Sequence, residues 1–264
     1  MAITSPNWPP VSKYFDKVFF QQTKREFVTH FGEYQGVPMT VLSTGIGVDN
    51  TEIALVELDA LVNVDLDAVR EKDQKRRLTI CRVGTSGALS EEIEVGSLLA
   101  SKAAIGTDNL MSFYDLEMSI EETAACQEFM TSTGLVNRPY IQSADIELTD
   151  HFIEMAQGIT LTTPGFYAPQ GRSLRIQTKD SDYLQKLAGA KVLGESISNF
   201  EMETAAIYAL SRLMGHRAIS LNAILANRIT DEFSNNPGEV LDSLIETSLD
   251  HLASWSKRHS QKPS

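Results

Sequence analysis

Cysteine is almost missing from this chain: Cys81 and Cys126 are the only two in 264 residues. Two isolated cysteines make neither a disulfide framework nor a metal-ligand pattern. Such usage predicts a reducing, cytoplasmic setting. Long apolar runs are missing too, and none approaches the roughly 20 residues that span a bilayer. Met1 to Pro10 has no basic region and no apolar stretch, so it predicts no secretory signal. Histidine is sparse, at five residues. His30 and His151 are single, and His251 and His259 fall on a polar terminal helix, so no metal spacing results. Basic charge is in deficit: 23 Lys and Arg against 35 Asp and Glu give a net charge of −12. That balance weighs against a nucleic-acid surface. It leaves an anionic substrate open, because a few arginines in a cleft bind phosphate whatever the global sum. No Gly-x-Ser-x-Gly elbow and no Cys/His pair point to a covalent nucleophile.

What remains is an ordinary globular composition, 42% hydrophobic and 22% charged, with no repeat, low-complexity tract or internal linker. The apolar period alternates between strand-like and helix-like, which predicts one α/β domain. Met39–Ser43 reads as a strand ending at Thr44-Gly45-Ile46-Gly47, followed by a helix that Asp49 or Asn50 can cap. Asp65 to Arg77 is charge-dense and reads as an exposed connection. Leu78–Val83 is a second strand, ending at Gly84-Thr85-Ser86-Gly87, and Val95 to Ile105 is a third β-prone run. Asp115–Thr133 and Thr149–Gln157 read as helices, and Gly158–Thr163 as a short strand. Asn199 is the expected cap of a helix from about Glu201 to Met214, with Gly215 just beyond its end. Ala218–Ala226 has the unbroken apolar character of a strand buried on both faces. Pro237-Gly238 opens a last helix to about Lys257, and Arg258 to Ser264 reads as a frayed tail.

Four segments carry candidate chemistry. Gly45-x-Gly47 lacks the third glycine of a dinucleotide fingerprint and reads better as a tight turn. Arg82-x-Gly84-Thr85-Ser86-Gly87 sets a cation, two hydroxyls and glycine amides at a strand's carboxyl end, where phosphate or a sugar hydroxyl can bind. The alternative is a plain turn beside a surface arginine. Glu201 and Glu203 can serve a polyol such as ribose, or simply complement a helix dipole. Phe166 to Arg172 offers an aromatic to stack on a planar ring and a Gln/Arg pair to read its edge. An ordinary loop is the alternative there.

Taken in order and spacing, Ser43-Thr44-Gly45-Ile46-Gly47, Arg82-Val83-Gly84-Thr85-Ser86-Gly87, Phe166-Tyr167-Ala168-Pro169-Gln170-Gly171-Arg172 and Phe200-Glu201-Met202-Glu203 resemble the nucleoside phosphorylase superfamily, and within it the bacterial uridine phosphorylases. The resemblance runs from about Val11 to the last helix. It implies a single α/β domain around a mixed, partly barrel-like central sheet flanked by helices. It implies reversible phosphorolysis of uridine, with inorganic phosphate as co-substrate and no cofactor or metal. It also implies a homodimer as the active unit, three of which can form a hexamer. On the same resemblance, Arg82 and Thr85 match phosphate ligands, and Arg25 matches an arginine that reaches the neighbouring subunit's phosphate. Thr85, Met202 and Glu203 match ribose contacts. Gly87, Phe166, Gln170, Arg172 and Arg228 match the base site. Catalysis would rest on Arg82, Gln170, Arg172 and Glu203. Purine enzymes of the superfamily place an aspartate at the end of the last strand, where this chain reads Ala226-Asn227-Arg228.

The start of the chain departs from that pattern. Family members carry a strand and a Gly-Asp-Pro-x-Arg phosphate loop where this sequence reads Ile3-Thr4-Ser5-Pro6-Asn7-Trp8-Pro9-Pro10. The expectation is that this strand and loop are missing, through truncation or in a true paralogue. Two other functions therefore stay open: a purine phosphorylase or nucleosidase, and a non-catalytic nucleoside-binding protein.

Overall fold

The computed structural model describes residues 2–4 and 11–260. In chain order the strands and helices are β1 (Ala2–Thr4), β2 (Lys17–Lys24), β3 (Phe27–Tyr34), β4 (Val37–Ser43), α1 (Val48–Asn63), the small pair β5 (Val64–Asp65) and β6 (Arg70–Glu71), β7 (Thr79–Ala88) and β8 (Leu98–Gly106). They continue with α2 (Ile120–Thr133), β9 (Tyr140–Ser143), α3 (Ile146–His151), β10 (Ala156–Thr162), α4 (Tyr183–Gly189), β11 (Lys191–Val192), β12 (Glu195–Glu201), α5 (Thr204–Leu213), β13 (Arg217–Asn227), β14 (Glu232–Phe233) and α6 (Pro237–Ser260).

Five strands close on themselves. β7 pairs with β13, β13 with β8, β8 with β10, β10 with β12, and β12 returns to β7. This is the single α/β domain that the sequence predicts, with the mixed, barrel-like sheet that the family resemblance implies. From β7 the sheet extends outward through β1, β4, β3 and β2. β7 thus changes partners along its length: Cys81 and Arg82 face β1, whereas Gly87 and Ala88 face β12. A gap between diverging strands is where an α/β sheet holds its ligand. Helices cover the sheet through three apolar clusters. α6 packs Leu244, Ile245 and Leu252 over Val41, Cys81 and Leu221; α2 and α4 pack around Ile105 and Leu161; α5 packs on Ile80, Leu55 and Ala104.

Several local expectations change. The N-terminal strand read as missing is present: Ala2–Thr4 lies parallel between β4 and β7, with Ile3 opposite Leu42 and Arg82. The sequence that would form the phosphate loop, residues 5–10, lies outside the described residues. β7 does not stop at Val83. It runs through both glycines, because Gly84 and Gly87 are held in register by Asn222 and Ala226 of β13. Long-range pairing here overrides the turn tendency of glycine. Asp49 and Asn50 do not cap α1; Gly47 stands at that end, and its amide donates to Glu203 Oε1 across 2.8 Å. Asn199 is no helix cap either, since it lies within β12 opposite Thr160, and α5 begins only after Glu203. Thr149–Gln157 is not one helix. α3 ends at His151, and Ala156 already pairs with Leu99 of β8. The last helix extends to Ser260, past the expected start of fraying, because His259 stacks on Trp255 at 3.8 Å between ring centroids. Residues 261–264 lie outside the described residues. Gly215 does end α5, with a left-handed φ of 76°.

Candidate active site

At the carboxyl end of β7 lies a cleft of about 350 Å³, a size that suits a small ligand. Its walls come from the turn after β4, from β7, from the 164–172 loop, from the end of β12, and from β13 and β14. Of the residues singled out in the sequence, Arg82, Thr85, Gly87, Phe166, Gln170, Arg172, Met202 and Glu203 all line it. Arg228 does not line it but adjoins Gly87, whose missing Cβ would sit 3.6 Å from Arg228 Cγ. Arg25 is placed elsewhere, at the tip of the β2–β3 hairpin with a φ of 56°.

The floor is an ionic cluster. Arg82 Nη2 donates to Glu203 Oε2 at 2.8 Å and lies 3.2 Å from Glu201 Oε2, while its Nη1 donates to Asn222 Oδ1 at 3.0 Å. All three charged side chains are buried. Burial alone would lower the Arg82 pKa; the Glu201 and Glu203 charges outweigh it, and the pKa is raised. Burial raises the Glu203 pKa, Arg82 opposes the shift, and Glu201 adds to it. The Arg82 guanidinium and the Gly47 amide thus both favour the charged form of Glu203 against burial. Glu201 does more than complement a helix dipole. Its Oε2 accepts the Glu203 and Thr204 amides at 2.8 and 2.9 Å, and its Oε1 accepts the Thr162 hydroxyl at 2.6 Å. These bonds satisfy the otherwise orphaned amides at the start of α5. Gly84 is required beneath this cluster, since a Cβ there would lie 2.7 Å from Arg82 Cζ.

The opposite wall combines a guanidinium, an amide and aromatic rings. The Arg172 guanidinium stacks 3.9 Å over the Phe166 ring centroid and lies 5.3 Å from that of Phe200. Its Nη1 donates to the Phe166 carbonyl at 2.7 Å and to Gln170 Oε1. Gln170 is buried, and its Nε2 donates to Thr163 Oγ1 at 2.9 Å. An amide nitrogen has two protons and its oxygen two lone pairs, so Gln170 keeps one donor and one acceptor for a ligand. Burial and the neighbouring Arg228 charge push the Arg172 guanidinium down to about 10.

The sequence reading missed Asn222 and Phe233. Asn222 did leave a signal, as a lone amide inside the apolar run Ala218–Ala226. Phe233 left none, because only the short β13–β14 hairpin folds it back over the cleft. Among the described residues, no group of three or more His, Cys, Asp or Glu is placed to hold a metal ion. No helix among them is long and apolar enough to cross a membrane.

The chain as a whole is similar to known proteins. The sequence profile of the phosphorylase superfamily matches residues 5–258. A uridine phosphorylase of Thermococcus kodakarensis is 33% identical over 94% of this chain and 79% of its own length. The uridine phosphorylase of Escherichia coli is 28% identical, covering 85% of this chain and 78% of its own. A crystal structure of a Trypanosoma brucei nucleoside phosphorylase with uridine phosphorylase activity superposes with a TM-score of 0.84 at 25% identity, covering 96% of this chain and 92% of that one.

Proposed function

This chain belongs to the phosphorylase superfamily, and from that premise we propose that its cleft catalyses the reversible phosphorolysis of uridine to uracil and α-ribose 1-phosphate. The observation that carries this reading is the cleft's division of labour. A buried cation and carboxylate, Arg82 and Glu203, meet 2.8 Å apart on the floor, and a Gln170–Arg172–Phe166 wall faces a flat ring.

Arg82 and Thr85 hold phosphate below C1′. Thr85, Met202 and Glu203 hold the ribose, with Glu203 accepting from the 2′- and 3′-hydroxyls. A phosphate oxygen forms a bond to C1′ as the C1′–N1 bond breaks, through an oxocarbenium-like state. The bonding pair leaves with uracil as an N1 anion. Arg172 and Gln170 stabilise that anion by charge-assisted hydrogen bonds, and the base takes its proton from water. Phosphate is itself the nucleophile, so the protein supplies none. Phe166 and Gly87 flank the base, and Arg228 lends a second positive charge near it.

Pyrimidine selection is supported by Asn227. Its Nδ2 donates to the Ser90 and Ile93 carbonyls, and its Oδ1 accepts the Ile229 and Thr230 amides. An amide so engaged cannot act as the acid a purine leaving group needs. The active unit in this reading is a homodimer, alone or as three dimers in a hexamer, in which Arg25 of one hairpin reaches the other subunit's phosphate. The exposed Phe19 and Phe20 beside that hairpin are consistent with burial against a second copy. In this reading the described residues act as one domain, in the cytoplasm and without cofactor.

The test is incubation of the purified protein with uridine, with and without phosphate, while uracil is measured. Uracil released only with phosphate supports the reading; equal release without phosphate would make the enzyme a nucleosidase, and no release would remove the activity.

A further inference from the structure

A hydrogen-bond circuit passes once around the closed sheet, using one side chain per strand and returning to the strand where it began. It starts at Arg82 on β7, whose Nη1 donates to Asn222 Oδ1 on β13 at 3.0 Å. Asn222 Nδ2 donates to Ser101 Oγ on β8 at 2.9 Å. Ser101 Oγ lies 2.6 Å from Thr160 Oγ1 on β10, and Thr160 Oγ1 donates to Asn199 Oδ1 on β12 at 2.8 Å. Asn199 Nδ2 then donates to Ser86 Oγ, back on β7, at 2.8 Å. Ser101, Thr160, Asn199 and Asn222 are wholly buried, whereas Ser86 is partly exposed and lines the cleft.

With the two asparagine amides turned as the structure places them, the circuit runs in one direction. A guanidinium has donors and no acceptor, so Asn222 must turn its oxygen to Arg82 and its NH₂ to Ser101. Thr160 gives its single proton to Asn199, so Ser101 must donate to Thr160. Asn199 receives at its oxygen and gives from its nitrogen. Ser86 Oγ is left as an acceptor within the circuit, with its own proton unspent. No other partner of the Ser86 hydroxyl exists among the described residues.

We propose that Ser86 is a substrate-binding hydroxyl fixed as a donor, and that Asn222, Ser101, Thr160 and Asn199 are positioning residues that impose this polarity from Arg82. Its ligand is an oxygen that carries or gains negative charge: a phosphate oxygen, or a carbonyl of the departing pyrimidine. Donors already aimed at such an oxygen need no reorientation as charge develops, which is how a preorganised site lowers a barrier. The circuit also ties the two ends of the cleft together, since a displaced Arg82 would release the constraint on Ser86. This inference rests on the phosphorolysis reading for its substrate.

The experiment compares the parent protein with Ser86→Ala, Ser86→Thr and Asn199→Asp. It measures uridine phosphorolysis with separate kcat and KM values, calorimetric binding of inorganic phosphate and of uracil, and thermal unfolding. Ser86→Ala is expected to lower kcat/KM at least about tenfold, in the range of a lost oxyanion donor, with unfolding unchanged. Ser86→Thr, which keeps the hydroxyl, is expected to restore most of the rate. In Asn199→Asp both carboxylate oxygens are acceptors, so the Ser86 proton is drawn inward and the same loss follows. A weaker affinity for phosphate alone assigns the Ser86 proton to phosphate, and for uracil alone to the base. Ser86→Ala with parent rates and affinities, or Ser86→Thr as impaired as the alanine variant, overturns the proposal. Should the parent fail to cleave uridine, the phosphorolysis reading falls by itself, and the two binding titrations still decide whether Ser86 contacts a ligand.

Discussion

Arg82 and Glu203 are 121 residues apart in sequence and 2.8 Å apart at the bottom of the cleft, both buried. Arg82 is also shared with Glu201 at 3.2 Å, so one buried cation serves two buried carboxylates. The pair sets a cation and a carboxylate side by side at the floor of the cleft.

Arg82→Met removes the cation and strands Glu201 and Glu203 in a dry site. Breaking a buried pair from one side costs about 3–5 kcal/mol. Scanning calorimetry should record a fall in Tm of roughly 10 °C, with phosphorolysis abolished. Retention of the parent Tm would show that the two carboxylates do not depend on Arg82.

Gly84→Ala tests the same pair without removing a charge. The new Cβ would meet Arg82 Cζ at 2.7 Å, so the guanidinium must move. A displacement near 1 Å costs on the order of 100-fold in rate. Steady-state kinetics on this variant should show that loss, and chemical unfolding should show a smaller destabilisation than in Arg82→Met, because the charges remain paired in part.

Arg172→Ala removes the cation that faces the leaving base, and the turnover number should fall at least tenfold, roughly the effect of one lost charge-stabilising donor. An unchanged rate would take Arg172 out of the mechanism.

The pH profile should carry the signature of Arg172. Its guanidinium is pushed down to about 10 by burial and by Arg228. Activity should decline as pH rises through that value, because the cation is lost. For stability the sign is opposite: the depressed pKa means that the protonated form is held at a cost in the folded state, and deprotonation relieves it. Arg228→Met removes one cause of the shift, so the alkaline limb should move to higher pH and Tm at neutral pH should rise by roughly 1–3 °C. Comparing the two proteins cancels ionisation of the substrate. An unmoved limb would show that Arg228 does not act on Arg172.

Ile3→Pro addresses β1. Ile3 pairs with Leu42 on one side and Arg82 on the other, so a proline removes a backbone donor from an interior strand. A loss of about 3 kcal/mol is expected, measurable as a lower urea midpoint. An unchanged midpoint would show that β1 adds nothing to the sheet.

Much of the site was readable in the chain because its residues cluster in short segments. Arg82 to Gly87, Phe166 to Arg172 and Phe200 to Glu203 each keep several functional groups within a few positions of one another. The fold brings these segments together in one cleft, and the role of each residue within it is the proposal made above. Boundaries were less legible. Glycines predict turns at Gly84 and Gly87, yet β7 runs through both because β13 supplies their hydrogen bonds. A polar residue before an apolar helix predicts a cap at Asn199, yet that side chain is spent on Thr160 and Ser86.

By itself the sequence determined the α/β class of the fold and the short segments that carry candidate chemistry, since these follow from local period and side-chain type, while the roles toward phosphate, sugar and base came from the family resemblance. Only the tertiary structure decided how those groups are paired. Sheet closure between β12 and β7 joins residues more than a hundred positions apart, and it makes Glu203 the receiver of the Gly47 amide, Glu201 the anchor of α5, and Arg82 the start of a directed circuit that ends at Ser86. Hydrogen-bond partners at that separation are fixed by strand register, and register is a property of the closed sheet rather than of any one segment of the chain.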